Sequence, residues 1–312
     1  MKRILAKHTP LLILAALCLA LAVAFPNFRQ ADNLQRVLQR TCAVAIVAVG
    51  QTLVIIVGGI DLSVGSVAAL GGGVAVWVMN TLGAPVPIGV AAGAAAGLLC
   101  GAISGWLATK GRIPSFIATL GMMMMARGAV LLLLQGQPLY DPPKAFRYLG
   151  GTQGWWIPVL IAAGITAATS IMLSMTRLGR EVYASGGNLT GARLSGILVD
   201  RVRTAAFSLC GLCAGFAGCM LASRTNVAEP MAAQGMELDA IAACVIGGAS
   251  LMGGEGGALG SVAGALIMNV LVNICNLTDF DVYWQYVLVG GLIIALVWYD
   301  ALRKRRAGLL RD

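Results

Sequence analysis

The sequence predicts an all-α polytopic membrane protein. It would have about ten transmembrane helices, cytoplasmic N- and C-termini, and short or broken helices near 58–66 and 247–257. Three observations lead there. First, 58% of the 312 residues are hydrophobic and 11% are charged, where soluble domains carry about 25% charged residues. Mean hydropathy is +0.84, more apolar content than one core and one surface absorb. Second, the apolar residues fall into runs near the ~20 residues that cross a bilayer. Third, cationic side chains divide unevenly between alternate loops, as cytoplasmic and external loops do. This composition excludes disorder, a disulfide scaffold and a soluble enzyme. A membrane barrel would show shorter, alternating segments.

The runs lie at 10–28, 41–60, 62–80, 87–109, 114–135, 155–175, 204–223, 239–252, 258–277 and 283–301. The runs follow one another along the whole chain, so 1–312 reads as a single transmembrane domain that includes its longest cytoplasmic loop. The first run follows Lys2, Arg3 and Lys7, and Ala20-Leu21-Ala22 fits a small-x-small cleavage site. The run continues past that site to Phe28, so an uncleaved span is expected. Leu34, Val37 and Leu38 share one helical face, which predicts a separate interfacial helix over 33–40 with Asp32 or Asn33 as its cap.

The second and eighth runs end in glycine-rich breaks. Gly58-Gly59-Ile60-Asp61-Leu62 and Gly247-Gly248-Ala249-Ser250-Leu251 share a G-G-x-x-L pattern, a hint of the internal repeats from which many transporters are built. In the fourth run Gly93, Gly97, Gly101 and Gly105 recur every fourth residue, and Gly256, Gly260 and Gly264 repeat the spacing. Such stripes let helices approach closely, either as static packing or as a sliding or dimerising face. Asp61 is an acid between apolar segments, which makes it either a helix cap or a contact for substrate or ion. Arg127 within the fifth run needs an acid, a helix C-terminus or a route to the interface.

With the N-terminus inside, alternate loops place fifteen of the 22 Lys and Arg residues on the cytoplasmic side and six outside (Arg29, Arg36, Arg40, Lys144, Arg147 and Arg224). Arg127 completes the count. This bias also accounts for the net charge of +9 without nucleic acid, because no basic face with interleaved aromatics is present.

Catalytic chemistry is missing from the sequence. No Walker-type GxxxxGK[ST] loop is present, so no ATP site of that kind is expected on this chain. The single histidine, His8, cannot serve a buried triad. Cys210 and Cys213 form a CxxC inside an apolar run with no histidine nearby, so buried small hydrophobes are expected there, and no metal. The most informative polar segment is the cytoplasmic loop at about 176–203, with five arginines. Residues 192–197 can form a short surface helix that docks a soluble partner. The alternative is a cationic anchor loop.

Four motifs then carry a family resemblance: GGIDLSVGS (58–66), PSFIATLG (114–121), GR–YA–GGN–ARLSGI spread over 179–197, and ELDAIAACVIGGASLMGGEGGALG (237–260). In this order they resemble the permease subunits of bacterial ATP-binding-cassette importers for monosaccharides, the ribose, xylose, galactose and autoinducer-2 group. The resemblance implies a multi-pass protein of the bacterial inner membrane. It implies a second permease subunit, identical or paired, cytoplasmic ATPase subunits that bind the ATP and Mg²⁺, and a periplasmic sugar-binding protein. It implies no cofactor on this chain. It makes the 176–203 loop the ATPase-coupling element, with Arg180, Tyr183, Gly187, Asn188, Arg193, Leu194 and Gly196 as docking residues. A neutral sugar needs mildly polar partners on its way through, and Asp61, Ser63, Ser66, Thr119 and Asn269 are the candidates. The competing reading is an ion-coupled secondary transporter of a small polar solute. It would require buried acids, of which Asp61 is nearly the only one.

Overall fold

The computed structural model describes residues 2–278, with 284, 287, 290, 291, 294 and 298 beyond them and side chains from residue 10 onward. Eleven α-helices follow one another among the described residues: α1 Lys2–Ala24, α2 Ala31–Ile56, α3 Val64–Thr81, α4 Val86–Thr109, α5 Ser115–Leu133, α6 Trp156–Met175, α7 Arg177–Gly187, α8 Leu189–Leu194, α9 Val199–Thr225, α10 Met236–Ile246 and α11 Ala258–Leu277. Two-residue strands β1 (Leu139–Tyr140) and β2 (Val227–Ala228) pair antiparallel.

Seven of these helices are long and apolar enough to cross a membrane: α2, α3, α4, α5, α6, α9 and α11. The first expected span is α1, whose apolar stretch Pro10–Ala24 is shorter. The expected tenth, 283–301, falls almost wholly outside the described residues. The eighth is shorter than the expected run and displaced toward the N-terminus. Instead of 239–252, the helix is Met236–Ile246, and its 11 residues rise about 16 Å against a hydrocarbon core of about 30 Å. It is a half-length helix entered through the irregular segment 229–235. Arg127 holds that segment: its guanidinium donates to the carbonyls of Pro230 (2.5 Å) and Ala232 (3.1 Å).

No separate interfacial helix forms at 33–40. Residues 31–56 make one uninterrupted 26-residue helix. No Gly or Pro lies between Asn33 and Thr41 to end the hydrogen-bond ladder, so the amphipathic stretch fuses with the apolar one. The resulting α2 is the central helix. Every residue from Ala45 to Val57 is buried, with α9, α10, α11 and α6 packed around it. In contrast, α6 turns Leu160, Ile171 and Met175 outward.

Close backbone approach organises the remaining core. Gly93, Gly97, Gly101 and Gly105 of α4 are buried. A Cβ at Gly97 would fall on the Gly211 carbonyl, one at Gly101 on the Phe207 carbonyl, and one at Gly105 would lie 2.9 Å from Thr204 Cα. Gly211 and Gly215 of α9 are blocked reciprocally by Gly97 and Gly93. Gly218 lies against Ala68 of α3. The stripe is therefore used within one chain, where α3, α4 and α9 meet backbone to backbone. Gly260 and Gly264 do the same for α11 against Gly247 and Ala243 of α10.

Candidate functional site: a backbone junction under helices α7 and α8

The two glycine-rich breaks terminate α2 and α10 in the same way. Gly58 has φ +73° and Gly248 has φ +89°. Gly58 N donates to Ile55 O (2.9 Å) and Gly59 N to Val54 O (2.8 Å). Gly248 N donates to Val245 O (3.0 Å) and Ala249 N to Cys244 O (2.9 Å). This is the left-handed glycine stop, with paired 5→2 and 6→1 bonds. The structurally equivalent glycines are Gly58 and Gly248, one residue out from the G-G-x-x-L alignment.

After Gly59 the chain runs without helix to Ser63, and neighbouring side chains satisfy its backbone. Leu62 N donates to Thr119 Oγ1 (3.2 Å), Thr119 Oγ1 donates to Ile60 O (3.2 Å), and Ile60 N approaches Ser115 Oγ at 3.4 Å. Asp61 is fully buried. Its Oδ1 accepts from Ser63 N (2.8 Å) and Ser63 Oγ (2.6 Å), which fixes the residue before α3. Its Oδ2 and the Nε2 of buried Gln51 have no hydrogen-bond partner among the described residues, and the Cys210 thiol donates to Gln51 Oε1 (3.5 Å). Asp61, Ser63, Ser66 and Thr119 thus lie buried around one break. Asn269 lies elsewhere, half-buried on α11.

The cytoplasmic loop of the sequence reading is two helices. Thr176 caps α7 by accepting from Gly179 N (3.2 Å), and Asn188 caps α8 by accepting from Gly191 N (2.8 Å). Val182 faces inward onto Leu53, Ile56, Val57, Leu173, Val202 and Ala206. Arg177 and Arg180 are exposed, with Arg177 reaching Glu181 at 2.7 Å. On the outer side Leu194 is 85% exposed, beside the exposed Leu189, Arg193 and Leu198. This apolar patch, rimmed by charge, has the composition of a protein-docking surface. Gly196 makes the turn after α8 at φ +80°, and Arg193 points to Asp200 at 3.4 Å.

Beneath this face three distant segments touch through their main chains. Gly254 N donates to Ile56 O (2.8 Å). A Cβ at Gly186 would overlap the Ile56 carbonyl oxygen, and one at Gly254 would lie 2.8 Å from Gly187 Cα. A Cβ at Gly253 would lie 2.9 Å from Gly186 O and 3.2 Å from Gly58 Cα. The Tyr183 hydroxyl donates to Gly256 O (2.7 Å), and burial pushes its phenol above the ordinary value, so it remains a donor. No flexible side chain separates α7 from the end of α2 or from the loop after α10. A shift of α7 must therefore move both, since close-packed contacts of this kind transmit displacement. Spacing alone could not reveal Gly186, Gly254 or Ile56 O as partners.

A family model described as the permease component of branched-chain amino acid transport systems matches residues 33–297. The chain belongs to this permease family. The permease is also 40% identical over 305 residues to the ribose import permease protein RbsC of Escherichia coli strain K12, covering 95% of this chain and 94% of that one. It is 37% identical to the Haemophilus influenzae RbsC, covering 96% and 94%. It is 34% identical to the xylose transport system permease protein XylH of E. coli K12, covering 90% and 87%. No solved structure matches the permease significantly.

Proposed function

We propose that this permease is the membrane-spanning subunit of an ATP-binding-cassette importer that carries a monosaccharide across the bacterial inner membrane. The observation that carries the reading is the 40% identity to a ribose import permease over nearly the full length of both chains. The family description names branched-chain amino acids, but the full-length relatives cited are sugar permeases, and likeness over a whole chain outweighs a broad family label. In this reading ten spans place both ends in the cytoplasm, with 1–312 as one transmembrane domain. A second permease subunit, identical or paired, completes the path. Cytoplasmic ATPases bind the ATP and Mg²⁺ and dock on α7 and α8 through Arg180, Tyr183, Gly187, Asn188, Arg193, Leu194 and Gly196. A periplasmic binding protein delivers the sugar. Asp61, Ser63, Ser66 and Thr119 shape the break beside the path.

The function is tested by reconstituting the permease with its ATPase and binding protein and following uptake of D-ribose and D-xylose. Uptake should require ATP and persist when ion gradients are collapsed. Loss of uptake on collapsing the gradient, with ATP present, would instead identify an ion-coupled carrier. Arg193→Glu should abolish sugar-stimulated ATP hydrolysis while the protein still inserts; normal stimulation would remove α8 from the docking surface. For the orientation, Thr190→Cys should react with a membrane-impermeant maleimide from the cytoplasmic side. Reaction from outside would invert the topology.

A further inference from the structure

The chain contains eight asparagines, and four of them converge on one cavity, which is far from a chance scatter. The cavity has a volume of about 410 Å³ and lies between α2 and α11, where Asn33, Arg36 and Arg40 face Asn269, Asn273 and Asn276. It sits at the end of the molecule opposite the α7 junction, since Asn33 and Ile56 are 23 residues apart on one helix, about 35 Å at 1.5 Å per residue. Asn33 and Asn273 exchange reciprocal amide hydrogen bonds of 3.0 and 2.8 Å, and Asn33 also donates to Phe28 O (3.1 Å). These bonds lock the amides of two helices 240 residues apart into one polar wall. Asn269 spends one hydrogen on its own helix, at Ala265 O (3.0 Å). Val37 and Val272 give the cavity an apolar patch.

We infer that this cavity is an outer binding site for a neutral monosaccharide, a reading that rests on the proposed sugar-import function. Its volume lies in the range of small-molecule sites. Its interior is built from carboxamides, which both donate and accept, and sugar hydroxyls do both as well. The guanidinium groups of Arg36 and Arg40 are exposed, so they stand at the rim, where a fork of donors suits neighbouring hydroxyls. An anion site would place those charges in the buried wall. The valines suit the C–H face of a sugar ring. Arg36 and Arg40 are two of the six cationic residues expected outside against the charge bias of the loops, and the cavity gives these two a role.

The test is ligand protection of Asn269→Cys permease in proteoliposomes. A small polar thiol reagent is applied from outside, with wild-type permease as the background. D-ribose or D-xylose should slow modification, by about elevenfold at a sugar concentration about ten times its dissociation constant. Inorganic phosphate should not. Protection by phosphate alone would make the cavity an anion site, and protection by neither would show that no sugar binds; either overturns the inference. Val272→Trp, which fills the cavity, should lower ATP-driven uptake at least about tenfold, while Leu160→Trp on the lipid-facing side of α6 should not. Uptake by Val272→Trp at the wild-type rate would also overturn it. If wild-type permease carries a monosaccharide yet neither sugar protects, the cavity assignment fails alone. If wild-type permease carries none, the import reading itself fails.

Discussion

Gly186→Val should uncouple the permease from its ATPase without removing it from the membrane. The new side chain would occupy the space of the Ile56 carbonyl oxygen and press on Gly254 N, and neither atom belongs to a side chain that can turn away. Overpacking of this kind costs about 1–3 kcal/mol. Placed on one of two alternating conformations, it corresponds to a fall in turnover of roughly five- to 150-fold. The measurement is ATP-driven sugar uptake at matched abundance, alongside ATP hydrolysis by the assembled complex. Hydrolysis should continue with uptake largely lost. Full uptake would mean that α7 is not in contact with the ends of α2 and the 253–256 loop during transport. Tyr183→Phe, which removes only the bond to Gly256 O, should act in the same direction and more weakly, because one net hydrogen bond contributes about 1 kcal/mol.

Gly97→Leu should have the largest effect on stability. Gly97 has the Gly211 carbonyl in the place of a Cβ and Gly215 Cα at 2.8 Å from it, so α4 and α9 would have to separate along their length. The cost should reach about 3 kcal/mol or more. It is read as a lower midpoint of thermal unfolding of detergent-purified permease and as low abundance in the membrane. Gly121→Leu is the matching control, since a Cβ there meets nothing within 4 Å. Equal stability of the two variants would mean that α4 and α9 are not in backbone contact.

Much of this was legible in the sequence, for physical reasons that also set the limits. Runs of about 20 apolar residues satisfy their backbone in lipid as helices, so α3 to α6 and α11 stand close to where hydropathy puts them, while α2 and α9 start earlier. Glycine every fourth residue marked the α4 face, although its partners Gly211 and Gly215 lie over 100 residues away and no spacing connects them. Residues 33–40 read as a separate interfacial element because their face is amphipathic. Whether a helix stops or runs on depends on a breaker, and Gln39-Arg40-Thr41 contains none. The short α10 was foreshadowed by its glycines, yet its true start depends on Arg127 pinning residues 230–232 from another helix. Helices α7 and α8 were visible as a run of arginines and glycines. Their junction was not, because it is made of carbonyls and amides that every residue possesses.

The unbroken course of α2 has a consequence for the working of the whole molecule. One rod begins at the asparagine-lined cavity and ends at the carbonyl that Gly254 grips. Over about 35 Å, a tilt of about 5° displaces the far end by about 3 Å, enough to make or break hydrogen bonds. A lever of this length needs no chain of intermediaries: whatever rocks the tip at Ile56 reshapes the cavity at Asn33 in the same stroke.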